Sequence, residues 1–425
     1  MVFPMNVLII TQVFPPEIHP SARIVWELAR SLSDAGHVVT VAAGYPHHPH
    51  GKVLGGYRKE WILRETVDGV RVVRGWHLTS TSRAISARGL VYVSQALGTA
   101  MAALAGERPE VVINFGPPLV GPAVSALLAG RFGACHVPVI YDLYPDVAIE
   151  TGAIRSKTLI RAAKALERWI YRKSDRIVVL SEGFRRTLVE TKGVPEKDIR
   201  VIPAWLDLDE IRRSEDPLAW RREHGIPEDA FVVLYAGTMG IVSGAEVLLD
   251  VAREFSGDPG IFFLFVGEGR SKERIQVQGR GLPHVRFFGF QPREYLSGML
   301  SSADVGIMTL LPGRGRTSVP SKVLGYMAVK VPVLASCDLD SDSARMIKEA
   351  ECGIVVPPGD AGGISRALRF LMANREKCRQ MGKHGRRYME RHHSREVGTA
   401  AFGEMIREFE QPAIQREEQE CQRKR

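Results

Sequence analysis

Two aspartates flank a tyrosine in Asp142-Leu143-Tyr144-Pro145-Asp146, directly after an apolar run. Carboxylates at the end of a strand can orient a hydroxyl or take its proton. Strand-end acids also cap helices, and both readings fit this segment. A different chemistry is written in glycine. Gly237-Thr238-Met239-Gly240, Gly267-Glu268-Gly269 and Gly289-Phe290-Gln291 each follow an apolar run, and such turns can present backbone N–H groups or a helix N-terminus to an anion. One glycine turn is commonly just a turn, but three in succession point to a phosphorylated ligand. Gly313-Arg314-Gly315-Arg316-Thr317-Ser318 then leads into Pro320-Ser321-Lys322, where proline suits the first turn of a helix and the serine and lysine can reach a phosphate. A solvated basic loop would have the same composition. Glu17 and His19 follow the first apolar run and can reach the same place as Asp142 and Asp146. His47-His48-Pro49-His50 invites a metal reading, but contiguous histidines on a proline-bearing loop seldom converge on one ion. No metal site is expected.

The elements that must hold these residues are apolar runs alternating with helical patterns, the signature of βαβ units and parallel sheets covered on both faces. One series has strands at 6–11, 38–42, 110–115, 139–142 and 177–180, with a helix at 22–35. A second has strands at 231–236, 261–266, 285–288, 305–309, 331–335 and 353–356. Both are α/β, so the fold class is two Rossmann-like doubly wound domains facing a cleft: 1–203, then 204–390, with a helix at 391–410 expected to return to the first domain and a loose polar tail at 411–425. Ligands in such sheets sit beyond the carboxyl ends of the strands, where the residues above lie. The turn after the first strand is Thr11-Gln12-Val13-Phe14-Pro15-Pro16-Glu17 rather than GxGxxG, which disfavours hydride chemistry with a nicotinamide cofactor. GxxxxGK[ST] is absent too.

Length and composition limit the rest. The 425 residues exceed one ordinary domain, and 45% hydrophobic with 25% charged residues describes a globular chain with a real core. Five scattered cysteines without CxxC spacing fit a reducing compartment. With no basic leader and no long apolar run, a cytoplasmic protein is expected. The net charge of +9 favours acidic partners, yet no basic motif is interleaved with aromatics, so nucleic acid is not expected among them. Lys157, Arg161, Lys164, Arg168 and Arg172 fall on one side of a helix, with Leu159, Ala163, Leu166 and Ile170 on the other, expected to pack inward. The basic side is either a solvated face or a contact for anionic headgroups. The stretch 90–105, preceded by Arg83 and Arg88, suits shallow interfacial contact or a plain covering helix.

Phe14-Pro15-Pro16-Glu17 followed by Val25-Trp26-Glu27-Leu28-Ala29 resembles the opening of the family 4 glycosyltransferases of the GT-B type. Asp142-Leu143-Tyr144-Pro145-Asp146, Tyr235-Ala236-Gly237, Val266-Gly267-Glu268-Gly269 and Phe288-Gly289-Phe290 extend the resemblance over roughly 6–409. Gly51-Lys52-Val53, Gly56-Tyr57 and Pro320-Ser321-Lys322 are similar to the branch that builds bacterial surface polysaccharides on lipid-linked acceptors, including the fucosamine transferases. The resemblance implies a nucleotide sugar as co-substrate, no further cofactor, and transfer with retention and without metal. It places Asp142 and Asp146 at the acceptor hydroxyl, Glu17, His19 and Tyr144 on the acceptor, and Gly237, Thr238, Gly267, Glu268, Phe290, Arg314, Arg316, Ser321 and Lys322 on the donor. The family's Glu-x7-Glu aligns with Thr317 and Gly325, and the basic pair after the interdomain strand with Thr238 and Ser243. The diphosphate must then rely on Arg314, Arg316, Lys322 and backbone amides.

The expected activity is transfer of a sugar, from a UDP-sugar in particular, to a saccharide or polyprenyl-diphosphate-linked acceptor, with peripheral attachment to an anionic membrane surface. A non-catalytic homologue that binds a partner, and a nucleotide-sugar epimerase, are the rivals.

Overall fold

The computed structural model describes residues 4–48, 51–57, 60–82, 85–116, 119–315 and 322–423, and side chains among these except at 85–86, 241 and 411–423. The chain divides into two compact units, Met1–Pro203 with Gly398–Arg425, and Ala204–Val397.

Strands β1 (Asn6–Thr11), β2 (Val38–Gly44), β3 (Ile62–Val67), β4 (Val70–Gly75), β5 (Val111–Phe115), β6 (Cys135–Ile140), β7 (Ile177–Val179) and β8 (Ile199–Val201) form the sheet of the first unit. Their order is β3-β4-β2-β1-β5-β6-β7-β8. All neighbours are parallel except the β3–β4 hairpin. Helices α1 (Pro20–Asp34), α2 (Ile85–Leu104), α3 (Val120–Phe132), α4 (Asp146–Glu150), α5 (Lys157–Arg172) and α6 (Glu182–Lys192) connect them. The central strands β1 and β5 are almost wholly buried along their length, as strands covered on both faces must be. Two expectations change here. The β3–β4 hairpin was not expected; Asp68 and Gly69, at φ 46° and 83°, make its turn, the Asp-Gly choice that left-handed hairpin turns favour. The strand expected at 139–142 is β6, which ends at Ile140 and leaves Asp142 in the loop beyond it.

The second unit contains α7 (Ala219–Glu223), β9 (Phe231–Ala236), α8 (Val247–Glu254), β10 (Ile261–Val266), α9 (Lys272–Gln278), β11 (Val285–Phe288), α10 (Arg293–Ser301), β12 (Val305–Thr309), α11 (Lys322–Ala328), β13 (Val333–Ser336), α12 (Asp342–Glu349), β14 (Gly353–Val356), α13 (Ala361–Ala373) and α14 (Arg375–His392). Its sheet runs β11-β10-β9-β12-β13-β14, all parallel. Two apolar clusters cover its faces. Leu234 of β9 belongs to one, with α11 and α14, and Tyr235 to the other, with α8 and α13.

The helix expected at 391–410 begins later and is preceded by a break. Between α14 and α15 (Arg395–Arg423), residues 393–395 pair with 204–207: Leu206 N–H donates to His393 O (3.0 Å), Arg395 N–H to Leu206 O (3.1 Å), and Arg395 meets Asp207 at 2.7 Å. Beyond Gly398 the helix packs within the first unit, where Glu408 pairs with Arg176 (2.9 Å) and Arg200 (2.7 Å) and Phe402 lies 5.9 Å from Phe115. Contrary to a loose tail from 411, α15 runs on to Arg423, through a segment rich in the helix formers Gln, Glu and Arg.

Candidate functional site

In the first unit the loops after β1 and β6 carry the expected acceptor residues, and burial sorts them. Glu17 is 5% exposed. Its carboxylate accepts the N–H groups of Phe14 (3.1 Å), His47 (3.0 Å) and His48 (3.0 Å). Desolvation raises its pKa, and those three N–H groups and Arg74 oppose the rise. An enclosed carboxylate with three internal donors ties the loop after β1 to the loop after β2, so direct contact with an acceptor gives way to a structural role. His19 caps α1, its Nδ1 accepting from Ser21 N–H (3.2 Å), and packs edge-on against His48 at 4.9 Å. Burial and the neighbouring His48 lower its pKa to about 4. It too shapes the loop. Arg74, which the sequence did not single out, is fully buried and donates to Gly44 O (3.1 Å), Pro15 O (2.6 Å) and the Glu65 carboxylate. Pro49 and His50 lie outside the described residues. Among the described residues no group of three His, Cys, Asp or Glu is arranged to hold a metal ion.

Asp142 and Tyr144 line a small recess with Gly116, Pro122 and Tyr141, at the carboxyl ends of β5 and β6. Burial pushes the Tyr144 hydroxyl up to about 12, with Asp142 and Tyr92 adding to the rise and Arg88 opposing it. Arg88 donates to Tyr92 Oη at 3.2 Å, so the start of α2 brings a cation and a second phenol toward the same recess. Neither was expected. Asp146 is placed differently. It lies in the first turn of α4 and pairs with Lys192 of α6 at 2.5 Å, while Lys192 also meets the buried Glu167 at 3.2 Å. A carboxylate already bound to a lysine is poorly placed to take a proton, and through Lys192 Asp146 links α4, α5 and α6.

In the second unit, Gly237 and Gly267 end β9 and β10 at φ +132° and +137°. Their own amides are consumed: Gly237 N–H donates to Val266 O (2.8 Å) and Gly267 N–H to Phe288 O (3.2 Å), while Met239 N–H donates to Glu268 O (2.9 Å). The glycines therefore serve close approach rather than anion capture by their own N–H groups; a Cβ on Gly267 would stand 2.2 Å from Gly237 O. Among the described residues the amides of Thr238 and Glu268 donate to nothing. The Glu268 carboxylate pairs with Lys272 at 2.6 Å. Phe290 is exposed on the loop after β11. The loop bearing Arg314 is pinned from beneath by Asp338, which accepts from Gly313 N–H (3.0 Å) and Gly315 N–H (3.3 Å). Arg316, Ser321 and Thr317 lie outside the described residues. Lys322 opens α11, and its Nζ lies 3.8 Å from the centre of the Tyr235 ring. Among the described residues it has no carboxylate partner. Gly325 is half-buried on α11 against Leu300.

Residues 21–205 match the family described as Glycosyl transferase 4-like domain, and residues 217–388 that described as Glycosyl transferases group 1. A protein of Escherichia coli K12, named for glycosyl transfer in colanic acid biosynthesis (WcaI), is 24% identical over 335 residues, 76% of this chain and 81% of its own length. The O-antigen chain mannosyltransferase C of Escherichia coli is 25% identical, over 60% of this chain and 66% of its own. Sucrose-phosphate synthase from Thermosynechococcus elongatus superposes with a TM-score of 0.73 at 19% identity, over 95% of this chain and 98% of that one. The Anabaena protein Alr3699/HepE, crystallised with UDP-glucose, gives 0.69 at 14% identity, over 95% and 100%.

Proposed function

Since the chain belongs to the glycosyltransferases of the GT-B fold, with a 4-like domain followed by a group 1 domain, we propose that it moves a sugar from a UDP-sugar to a saccharide, or lipid-linked saccharide, in surface polysaccharide biosynthesis. The relative named for colanic acid biosynthesis supports the pathway class, and the Anabaena protein bound to UDP-glucose supports the donor. The Ala204–Val397 unit holds the donor. Lys322 and Arg314 meet the diphosphate, Thr238 and Glu268 offer main-chain amides, and Phe290 stacks on the base. Cations and amides aimed at the leaving diphosphate stabilise it as charge develops, so the reaction needs no divalent ion; retention of the anomeric configuration is what the resemblance to the family 4 glycosyltransferases implies. In the first unit Asp142 and Tyr144 orient the acceptor hydroxyl, with Arg88 and Tyr92 beside them. The outer face of α2, α3 and α5 attaches the protein to an anionic membrane.

The observation that carries this reading is Lys322, a lysine without a carboxylate partner among the described residues, lying across the glycine turn that ends β9. The test is thermal stabilisation of the full chain by UDP-, GDP- and dTDP-sugars, because a native-state ligand at 100 times its Kd adds about 2.7 kcal/mol. The hits are then incubated with saccharide acceptors, and NMR of the product reports the anomeric configuration. A glycosylated acceptor with released UDP is expected. Binding without turnover would instead favour a non-catalytic homologue, the reading that Gly325 supports by placing no carboxylate on α11. An interconverted sugar nucleotide would mark an epimerase.

A further inference from the structure

Lys322 reaches its position by an unusual route. It starts on α11, whose buried residues pack on the same face of the second sheet as Leu234, yet its ammonium rests on Tyr235, whose ring belongs to the core on the other face. The side chain crosses the carboxyl end of β9 over Gly237; a Cβ added there would stand 3.4 Å from Lys322 Cε. Tyr326, one turn along α11, fixes the helix against the same strand, its hydroxyl accepting from Ala236 N–H (2.8 Å) and donating to Leu234 O (2.9 Å). Tyr235 does two things at once. Its ring seats the ammonium at 3.8 Å, and its hydroxyl donates to Thr238 O at 2.8 Å. It is 1% exposed, so it cannot itself touch a ligand.

We infer that Tyr235 is a positioning residue for donor binding: one buried ring and its hydroxyl set the spacing between the Lys322 ammonium and the Thr238 turn, two of the groups that meet the donor's diphosphate. The inference rests on the donor site proposed above. An ammonium on an aromatic face is held without being neutralised, because the ring quadrupole attracts it while contributing no net charge. A carboxylate in the same place would fix the lysine equally well and would repel the phosphates. The aromatic seat therefore leaves the full positive charge facing the ligand.

The test titrates the full-length protein with UDP, GDP and dTDP and carries the tightest binder through a set of variants. Lys322→Met should weaken that diphosphate about tenfold or more. Replacing Tyr235 by phenylalanine keeps the seat and removes only the bond to Thr238. Replacing it next by 3,4,5-trifluorophenylalanine keeps the ring's shape while draining its negative face, which should weaken binding a further ~3- to 10-fold. In the Lys322→Met background the same fluorination should change nothing, since the two effects act through one contact. A purely structural role would give equal losses in both backgrounds, and fluorination without effect on wild-type affinity would also overturn the inference. If Lys322→Met binds like wild type, or no diphosphate binds at all, the donor site itself is wrong and the inference goes with it. Unfolding temperatures of the two aromatic variants separate loss of fold from loss of positioning.

Discussion

Asp142 and Asp146 come from one short segment and have different surroundings. Asp142 faces the recess shared with Tyr144, whereas Asp146 is tied to Lys192 at 2.5 Å. A positioned carboxylate contributes about 100-fold or more to a proton transfer, so Asp142→Asn should lower kcat by about that factor. Asp146→Asn should behave differently. Its pair with Lys192 is only partly exposed, and its loss should cost about 1 kcal/mol of stability while kcat moves by less than about threefold. Measuring kcat and unfolding temperature on both variants decides between the carboxylates, and a reversed pattern would hand the chemistry to Asp146. The Asp-x-x-x-Asp spacing showed that two acids lie near a strand end. It could not show that a lysine from α6 claims one of them. The same holds for Glu17, whose donors at His47 and His48 arrive from another loop, and for Tyr235, whose partnership with Lys322 exists only once α11 is laid against β9.

The elements themselves were more legible, for a reason visible in their composition. Ile261–Val266 reads IFFLFV and Phe231–Ala236 reads FVVLYA; runs apolar on both sides fit only strands covered on both faces. The edge hairpin β3–β4 escaped because Arg64, Glu65, Arg71 and Arg74 interrupt its apolar residues; Arg64 on the edge strand β3 faces solvent, whereas Arg74 is buried and donates to Glu65. Helix joints also carry information that no periodicity reveals. His136 of β6 is 1% exposed and joins Ser125 of α3 through Nε2 (2.8 Å) and Ser174, just past α5, through Nδ1 (3.2 Å). Burial lowers its pKa from 6.5 to about 4. Between those values the unfolded chain binds the proton more tightly, so the stability contributed by the neutral ring is complete above pH 6.5 and is lost as pH falls toward 4. The full loss is about 3 kcal/mol. Urea unfolding at pH 7 and pH 5 should therefore show a steeper decline for wild type than for His136→Gln, which starts less stable but has no imidazole to protonate. Equal slopes would mean that His136 titrates alike in the folded and unfolded chains.

At the scale of the whole molecule, the net charge of +9 finds a physical setting in the first unit. Helix α2 carries a single charge, Arg88, in its 20 residues, and Leu90, Val93, Leu97 and Leu104 on its outer side are 44–63% exposed. A helix facing only water would place charged side chains there. Helix α3 packs between α2 and α5 and adds exposed Leu127; Leu159 of α5, expected to pack inward, is exposed as well. On α5 only the far end turns inward, through Glu167, Ile170 and Tyr171, while Lys157, Arg161, Lys164, Arg168 and Arg172 are all exposed. Among the described residues no helix is long and apolar enough to cross a membrane. Apolar side chains for shallow insertion beside a row of cations match an anionic bilayer surface, where each basic residue near the headgroups adds about 1 kcal/mol. Wild type should float with vesicles of phosphatidylcholine containing phosphatidylglycerol, and much less with phosphatidylcholine alone. Leu90→Gln with Leu97→Gln should reduce flotation on both, because insertion is lost. Arg161→Glu with Lys164→Glu should abolish only the preference for the anionic lipid, and rising salt should do the same to wild type. These substitutions lie far in sequence from the donor loops, so stabilisation by the nucleotide diphosphate should persist in each. Flotation that ignores both lipid charge and the leucines would leave this face as a solvated one, and the acceptor would then have to come to the enzyme from solution.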